Sequence, residues 1–135
     1  MMTTLKSESV PLRSSADVVT LRQKVRAWTA ELKFSLVDQT KMITASSELG
    51  RNTVSHGGGG ACLMEVISND IRSGLKLTFE DQGPGIPDIE LALKDGYSTG
   101  SGMGLGLSGS KRLVNEFQIA SKPGEGTRVT VVRWK

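Results

Sequence analysis

Several common features are scarce or missing in this 135-residue chain. A single cysteine, Cys62, excludes an internal disulfide and a cysteine-rich metal site. Aromatic residues make up 4% of the chain, and the basic residues are scattered although the net charge is +3. Because nucleic-acid surfaces usually concentrate basic charge or stack bases on aromatic rings, we expect no nucleic-acid partner. A phosphate-bearing ligand explains the slight basic excess equally well.

Long apolar runs are also missing. No segment approaches the roughly 18 residues that a membrane span needs, and the N-terminal segment lacks the apolar stretch of a signal peptide. We therefore expect a cytoplasmic protein with no membrane partner. The length suits one domain over residues 1–135 with its own hydrophobic core.

The hydrophobic pattern predicts alternating strands and helices, with apolar residues at steps of three and four from Val18 to Leu32 defining the first helix. In chain order we predict a strand over Thr4–Leu12, a helix capped by Ser14 or Ser15, a helix from Asp38 to about Val54, strands over 61–69 and 75–83, a short helix opened by Pro87 and closed by Gly96, a helix over 108–117 and a hairpin over 118–134. This order predicts a two-layer α/β sandwich, in which helices cover one face of a mixed, mainly antiparallel sheet.

Familiar phosphate-binding motifs do not fit this chain. The P-loop pattern G-x-x-x-x-G-K-[ST] is absent, as are the protein-kinase patterns V-A-I-K, H-R-D and D-F-G. Gly104–Gly109 matches G-x-G-x-x-G, but it follows a polar loop instead of a strand, so a dinucleotide site is excluded by context.

A glycine cluster nevertheless stands out in the segment STGSGMGLGLSGSKR, Ser98–Arg112, with five glycines between Gly100 and Gly109. Glycines let backbone N–H groups approach phosphate oxygens, and the predicted helix behind them adds partial positive charge at its start. The segment therefore favours phosphate binding, and the alternative is an irregular surface loop.

A second cluster, EDQGPGIPD, follows a predicted strand at Glu80–Asp88. The Asp81 carboxylate can only accept hydrogen bonds, so it matches an exocyclic amine such as that of adenine. Gly83 and Gly85 would let the chain turn beneath the base without side chains in the way. Taken alone, the segment is equally consistent with an ordinary turn.

The third element is SELGRN on the second predicted helix, where Glu48 and Asn52 are four residues apart and share a face. Phosphoryl transfer needs a base or orienting group and an oxygen ligand for Mg²⁺, and these two residue types supply them. The alternative is a solvated polar face.

Together, ELGRN, EDQGPGIPD and GSGMGLGLSGSKRL resemble the N box and the two glycine boxes of the GHKL ATPase superfamily. Within it, the chain is most similar to the RsbT-type switch serine/threonine kinases of the anti-sigma regulatory group, over Val18–Trp134. The resemblance implies the Bergerat ATP-binding fold, ATP and Mg²⁺ as cofactors, a STAS-domain antagonist protein as substrate and a PP2C-type phosphatase as a further partner.

The resemblance also implies roles for individual residues. Glu48 would orient or deprotonate the acceptor hydroxyl, Arg51 would assist at the phosphates, and Asn52 would ligate Mg²⁺. The expected nucleotide-binding residues are Asn52, Asp81, Gly83, Gly85, Ile86, Gly102, Met103, Gly104, Leu105, Gly106, Leu107, Lys111 and Thr127.

Two alternatives to a switch kinase stay open, an anti-sigma factor that sequesters a sigma factor and a nucleotide-dependent binding module with negligible catalysis. A histidine kinase is not expected, since the sole histidine, His56, precedes four glycines and is interpreted as a loop residue. Glycine is a poor helix former, so Gly50 would weaken its helix by about 1 kcal/mol relative to alanine.

Overall fold

The computed structural model describes residues 1–86, 88–94 and 106–135. Within these ranges the elements are β1 (Thr3–Leu12), α1 (Ser15–Glu31), α2 (Leu36–Ser55), β2 (Gly60–Ser68), β3 (Ser73–Asp81), α3 (Ile89–Ala92), α4 (Gly106–Arg112), β4 (Glu116–Ser121) and β5 (Thr127–Trp134). Their order is the predicted one.

The strands form a five-stranded sheet in the order β1-β2-β3-β5-β4, and each neighbouring pair is antiparallel. The predicted α/β sandwich is confirmed, with an antiparallel sheet in place of a mixed one. The β2–β3 and β4–β5 connections are too short for the crossover that parallel pairing requires.

The core lies between one face of this sheet and the helices, mainly α1 and α2. From α1 it receives Val18, Leu21, Val25 and Trp28, the stripe that the spacing predicts. The sheet contributes alternate residues of each strand, as expected for a sheet with one covered face. Those from β2 and β3 are Cys62, Met64, Val66, Leu75, Leu77 and Phe79.

The first long helix begins where the sequence predicts, and the second begins slightly earlier. Ser14 is the N-cap of α1, but its side chain makes no capping hydrogen bond. Instead, Asp17 Oδ2 in the first turn accepts a hydrogen bond at 2.8 Å from Arg13 N, which directly precedes the N-cap. For α2, Ser35 Oγ accepts from Asp38 N at 3.1 Å, so the helix starts at Leu36, two residues before the predicted Asp38.

The helix predicted over 108–117 is wrong at its C-terminal end, because α4 stops at Arg112 and Phe117 belongs to β4. Asn115 holds the turn between them. Its backbone N–H donates to Val132 O at 2.9 Å, and its Oδ1 accepts from Trp134 N at 2.7 Å. Phe117 still packs against the core, now from the strand.

Candidate functional site

One end of the sheet gathers residues from four strands into a single row. Gly60 pairs with Asp81, Asp81 with Thr127, and Thr127 with Ser121. Paired residues place their side chains on the same face, about 4.5–5.5 Å apart at Cβ. Asp81 and Thr127, which are 46 positions apart in the sequence, are therefore neighbours on the helix-covered face.

The Asp81 carboxylate lies against the chain that leaves α2. A Cβ atom placed on Gly57 would overlap the carboxylate, so any other residue there would push the Asp81 side chain aside. Asp81 Oδ1 accepts a hydrogen bond from Gly83 N at 2.9 Å, which turns the chain directly after β3. The carboxylate is therefore held close to the end of α2.

The loop after β3 rests on the β4–β5 turn. Gly85 has a φ of +78°, and a Cβ atom there would overlap the carbonyl oxygen of Lys122. Gly124 N donates to Pro84 O at 2.7 Å, and Ile86 N donates to Ser121 Oγ at 2.8 Å. These contacts explain the glycines within residues 83–86, because the loop packs backbone against backbone.

These elements enclose a cavity of about 400 Å³, within the range usual for small-molecule sites. The end of α2 forms one wall, β3 and β5 form another, and the loop after β3 with α3 and α4 closes the rest. The lining residues are Leu49, Asn52, Thr53, His56, Gly57, Phe79, Asp81, Pro84, Gly85, Ile86, Asp88, Leu91, Ala92, Gly106, Leu107, Thr127 and Val129.

Only part of the polar face of α2 lines the cavity. Asn52 lines the cavity, whereas Glu48, one turn earlier, is 6% exposed and forms an ion pair with Arg51. Glu48 is thus a buried carboxylate neutralised by a neighbouring guanidinium. Its burial explains why the predicted stripe is not simply a solvated face.

The predicted site residues fall into three groups. Those lining the cavity are Asn52, Asp81, Gly85, Ile86, Gly106, Leu107 and Thr127. Those described but not lining it are Glu48, Arg51, Gly83 and Lys111. Gly102, Met103, Gly104 and Leu105 lie outside the described residues.

Sequence reasoning missed several lining residues. Phe79 and Val129 each lie two positions from an identified residue, Asp81 and Thr127, on the same face of their strands. Because residues two positions apart on a strand share a face, this spacing is the sequence signal that could have identified both residues. His56 is the C-cap of α2 and lines the cavity, where it had been interpreted as a loop residue.

Among the described residues, no three His, Cys, Asp or Glu side chains are grouped to hold a metal ion. Cys62 is buried in the core, and this burial raises the pKa of its thiol far above the usual value. It is therefore unsuited to act as a nucleophile. None of the described helices has the length and apolar character to cross a membrane.

Comparisons with known proteins identify similar sequences. The family model of the histidine kinase-, DNA gyrase B-, and HSP90-like ATPases matches residues 37–135. The chain is 44% identical over 125 residues to the serine/threonine-protein kinase RsbT of Bacillus subtilis (strain 168), covering 93% of this chain and 94% of that one. It is 31% identical over 118 residues to the anti-sigma F factor of Thermoanaerobacter sp. (strain X514), covering 84% and 82%.

Two solved structures share the fold. The RsbU and RsbW domains of Rv1364c from Mycobacterium tuberculosis match with a TM-score of 0.64 at 21% identity, over 95% of this chain and 31% of that longer one. The mycobacterial sensor histidine kinase MprB matches with a TM-score of 0.55 at 19% identity, over 96% and 97%.

Proposed function

Because the chain belongs to the histidine kinase-, DNA gyrase B- and HSP90-like ATPase family, we propose that it is an ATP-dependent serine/threonine kinase whose cavity holds the nucleotide. The class is that of its relative RsbT. The observation that carries the proposal is the pairing of Asp81 with Thr127 at the floor of a largely apolar cavity. Apolar walls accept the faces of a purine ring, and the two polar side chains bind its edge.

At the phosphate end, Asn52 would supply one oxygen ligand to Mg²⁺. The absence of a three-residue acidic or histidine cluster in the described chain suits this ion, which usually keeps several waters and binds through substrate phosphates. When bound, the ion neutralises charge on the transferring phosphoryl group. Gly102, Gly104 and Gly106 would donate backbone N–H groups to the phosphates, and Lys111 would add positive charge.

Transfer itself needs an acceptor hydroxyl aligned with the terminal phosphorus of ATP. Glu48 would accept the proton of that hydroxyl as its oxygen bonds to phosphorus, while the bond to ADP breaks. In the present arrangement Arg51 holds the Glu48 carboxylate by an ion pair one turn from Asn52. Glu48 would become available as Arg51 turns to the phosphates.

The substrate proposed from the family resemblance is a STAS-domain antagonist in the cytoplasm. A new phosphate adds nearly two negative charges to that protein, which would weaken its contact with the kinase. The released kinase would then activate a PP2C-type phosphatase.

Phosphotransfer tests this proposal directly. Purified protein is incubated with γ-labelled ATP, Mg²⁺ and a lysate of the source organism, beside Glu48→Ala and the matched surface variant Glu90→Ala. We expect acid-stable label on one small protein with the wild type and Glu90→Ala. Glu48→Ala should still bind ATP but lose transfer by two orders of magnitude or more. Unchanged transfer by Glu48→Ala would remove its assigned role.

The similarity to an anti-sigma F factor favours one second candidate, nucleotide-dependent sequestration of a sigma factor. In that case the protein binds ATP but labels no partner, and an affinity pull-down recovers a sigma subunit. Labelling of a partner protein without recovery of a sigma subunit would favour the kinase over this second candidate.

A further inference from the structure

The turn between α1 and α2 exposes two apolar side chains next to each other. Leu36 is 79% exposed and Val37 is 63% exposed, and they are the first two residues of α2. The first turn of a helix favours acidic residues, because a negative charge interacts well with the unpaired N–H groups there. Helix formation therefore does not explain a leucine and a valine at these positions.

The turn that presents this apolar pair is firmly held. Lys33 N donates to Ala30 O at 3.0 Å, and Phe34 N reaches back to Thr29 O at the same distance, so α1 ends in a Schellman motif. Phe34 is buried beneath the turn, and its carbonyl oxygen accepts from Gln39 Nε2 at 2.9 Å. A surface that is already ordered loses little conformational entropy when a partner binds.

Lys33 has a backbone conformation that glycine normally adopts. Its φ is +66°, and glycine is the usual residue at this position of the motif. The chain therefore keeps a side chain here against the preference of the backbone. Lys33 is exposed and makes no ion pair with the described residues, so its charge is available to a partner.

The surroundings of the apolar pair are positively charged. Lys41 lies one turn after Val37 on the same face of α2 and, like Lys33, has no acidic partner in the described part of the chain. The carboxylates near the turn are already held in ion pairs, Asp38 with Arg133 and Glu31 with Lys6. An apolar centre with a cationic rim complements a partner surface in which acidic residues surround an apolar side chain.

The apolar pair also lies in line with Glu48. Val37, Lys41, Thr44 and Glu48 follow one another at steps of four, three and four residues, so they share one face of α2. At about 1.5 Å per residue, Val37 is roughly 16 Å from Glu48 along the helix axis. A protein that covers the turn can therefore extend along this face to Glu48.

Building on the kinase activity proposed above, we propose that Leu36 and Val37, with Lys33 and Lys41 at their rim, form the docking surface for the acceptor protein. The acceptor presents an apolar side chain surrounded by acidic residues. Docking at the turn keeps its hydroxyl close to Glu48. None of the four residues lines the nucleotide cavity, so docking and ATP binding use separate parts of the protein.

Leu36→Glu tests the surface, with the protein labelled in the phosphotransfer experiment purified as the acceptor. The new charge repels an acidic partner, whereas glutamate in the first turn suits α2 and keeps it folded. KM for the acceptor should rise at least tenfold, while the affinity for ATP in titration calorimetry stays the same. Ile71→Glu makes the same change at an 88% exposed position of the β2–β3 turn and should leave both values unchanged.

Lys33→Gly separates docking from folding. Glycine accepts the positive φ without strain, so the midpoint of urea unfolding should rise. Loss of the cation should raise KM for the acceptor roughly three- to tenfold and make it less sensitive to salt. A residue with a purely structural role would not weaken docking while its replacement stabilises the fold.

Each outcome decides the matter. An unchanged KM in Leu36→Glu, or an equal rise in Ile71→Glu, would overturn the docking surface and leave the kinase activity standing. No labelled protein with the wild type would overturn the proposed function and this inference together. A wild-type dimer in sedimentation that dissociates in Leu36→Glu would show that a second copy covers the turn, which would contradict an acceptor protein there.

Discussion

At the residue scale, the site depends on how closely backbone segments approach one another. Gly57 leaves room for the Asp81 carboxylate, and a Cβ atom on Gly83 would lie 2.7 Å from Gly57 Cα. Real Cβ atoms essentially never come that close to another carbon. The end of α2 and the loop after β3 can therefore lie this close together at Asp81 only because Gly57 and Gly83 carry no side chains.

Gly57→Ala should displace the Asp81 side chain and weaken ATP binding on the order of tenfold or more, since small misplacements of a binding group are costly. Gly58→Ala is the matched control. A Cβ atom there meets nothing within 4 Å, although its φ of +73° makes alanine cost about 1 kcal/mol of stability. Titration with ATP compares the two, and equal affinities would contradict this account of Gly57.

Gly50 has a different surrounding. It is buried against α1, and a Cβ atom would lie at ordinary contact distance from Val18 and Leu21, 3.5–3.6 Å away. Gly50→Ala should therefore raise the free energy of unfolding by about 1 kcal/mol, through the higher helix propensity of alanine. Urea unfolding measures this, and a destabilised variant would mean that α1 and α2 pack more tightly than described.

At the scale of elements, Arg133 joins three parts of the chain. From the end of β5, its Nη2 donates to Asp38 Oδ1 at 2.7 Å and its Nη1 donates to Leu113 O at 3.0 Å. Asp38 lies in the first turn of α2, and Leu113 directly follows α4. The side chain is 14% exposed, so water screens the pair only weakly.

Arg133→Met should lower the free energy of unfolding by about 2–3 kcal/mol, because Asp38 and the Leu113 carbonyl lose a charged partner in a partly buried place. Arg128→Met is the control. Its ion pair with Glu80 is more than half exposed on the arginine side and should contribute about 0.5 kcal/mol or less. Comparable losses in urea unfolding would show that the buried position of Arg133 does not matter.

The elements also show what the sequence can predict. The stripe of α1 and the alternation of β3 are local periodic patterns, and they identified both elements. The end of α4 was missed because Leu113, Val114 and Phe117 also suit a helix, and the pairing of Glu116–Ser121 with β5 decides the outcome. The contacts of Ser121 with Ile86 and Thr127 could not be predicted either, since these residues become neighbours only through folding.

At the scale of the whole molecule, Cys62 lies on β2 between Val10 of β1 and Phe79 of β3, and it is fully buried. Burial keeps its thiol protonated at neutral pH, although a hydrogen bond with the Thr78 backbone opposes the shift. Since the thiolate is the reactive form, a soluble thiol reagent should label the native protein very slowly.

Labelling of Cys62 should accelerate with urea in parallel with the loss of helical circular dichroism. The reason is that the thiol is exposed only when the sheet and its covering helices separate. Fast labelling without urea would contradict the described core.

In the proposed function, the cavity at the end of the sheet binds ATP through Asp81. Titration calorimetry of ATP with Mg²⁺ tests it most directly, using wild-type protein, Asp81→Asn and the control Asp70→Asn, whose carboxylate lies in the exposed β2–β3 turn. We predict that Asp81→Asn weakens binding by at least tenfold, as expected for a hydrogen bond to a charged acceptor, and that Asp70→Asn has no effect. Equal affinity of the wild type and Asp81→Asn, or no binding by the wild type, would show that Asp81 does not bind the nucleotide in this cavity.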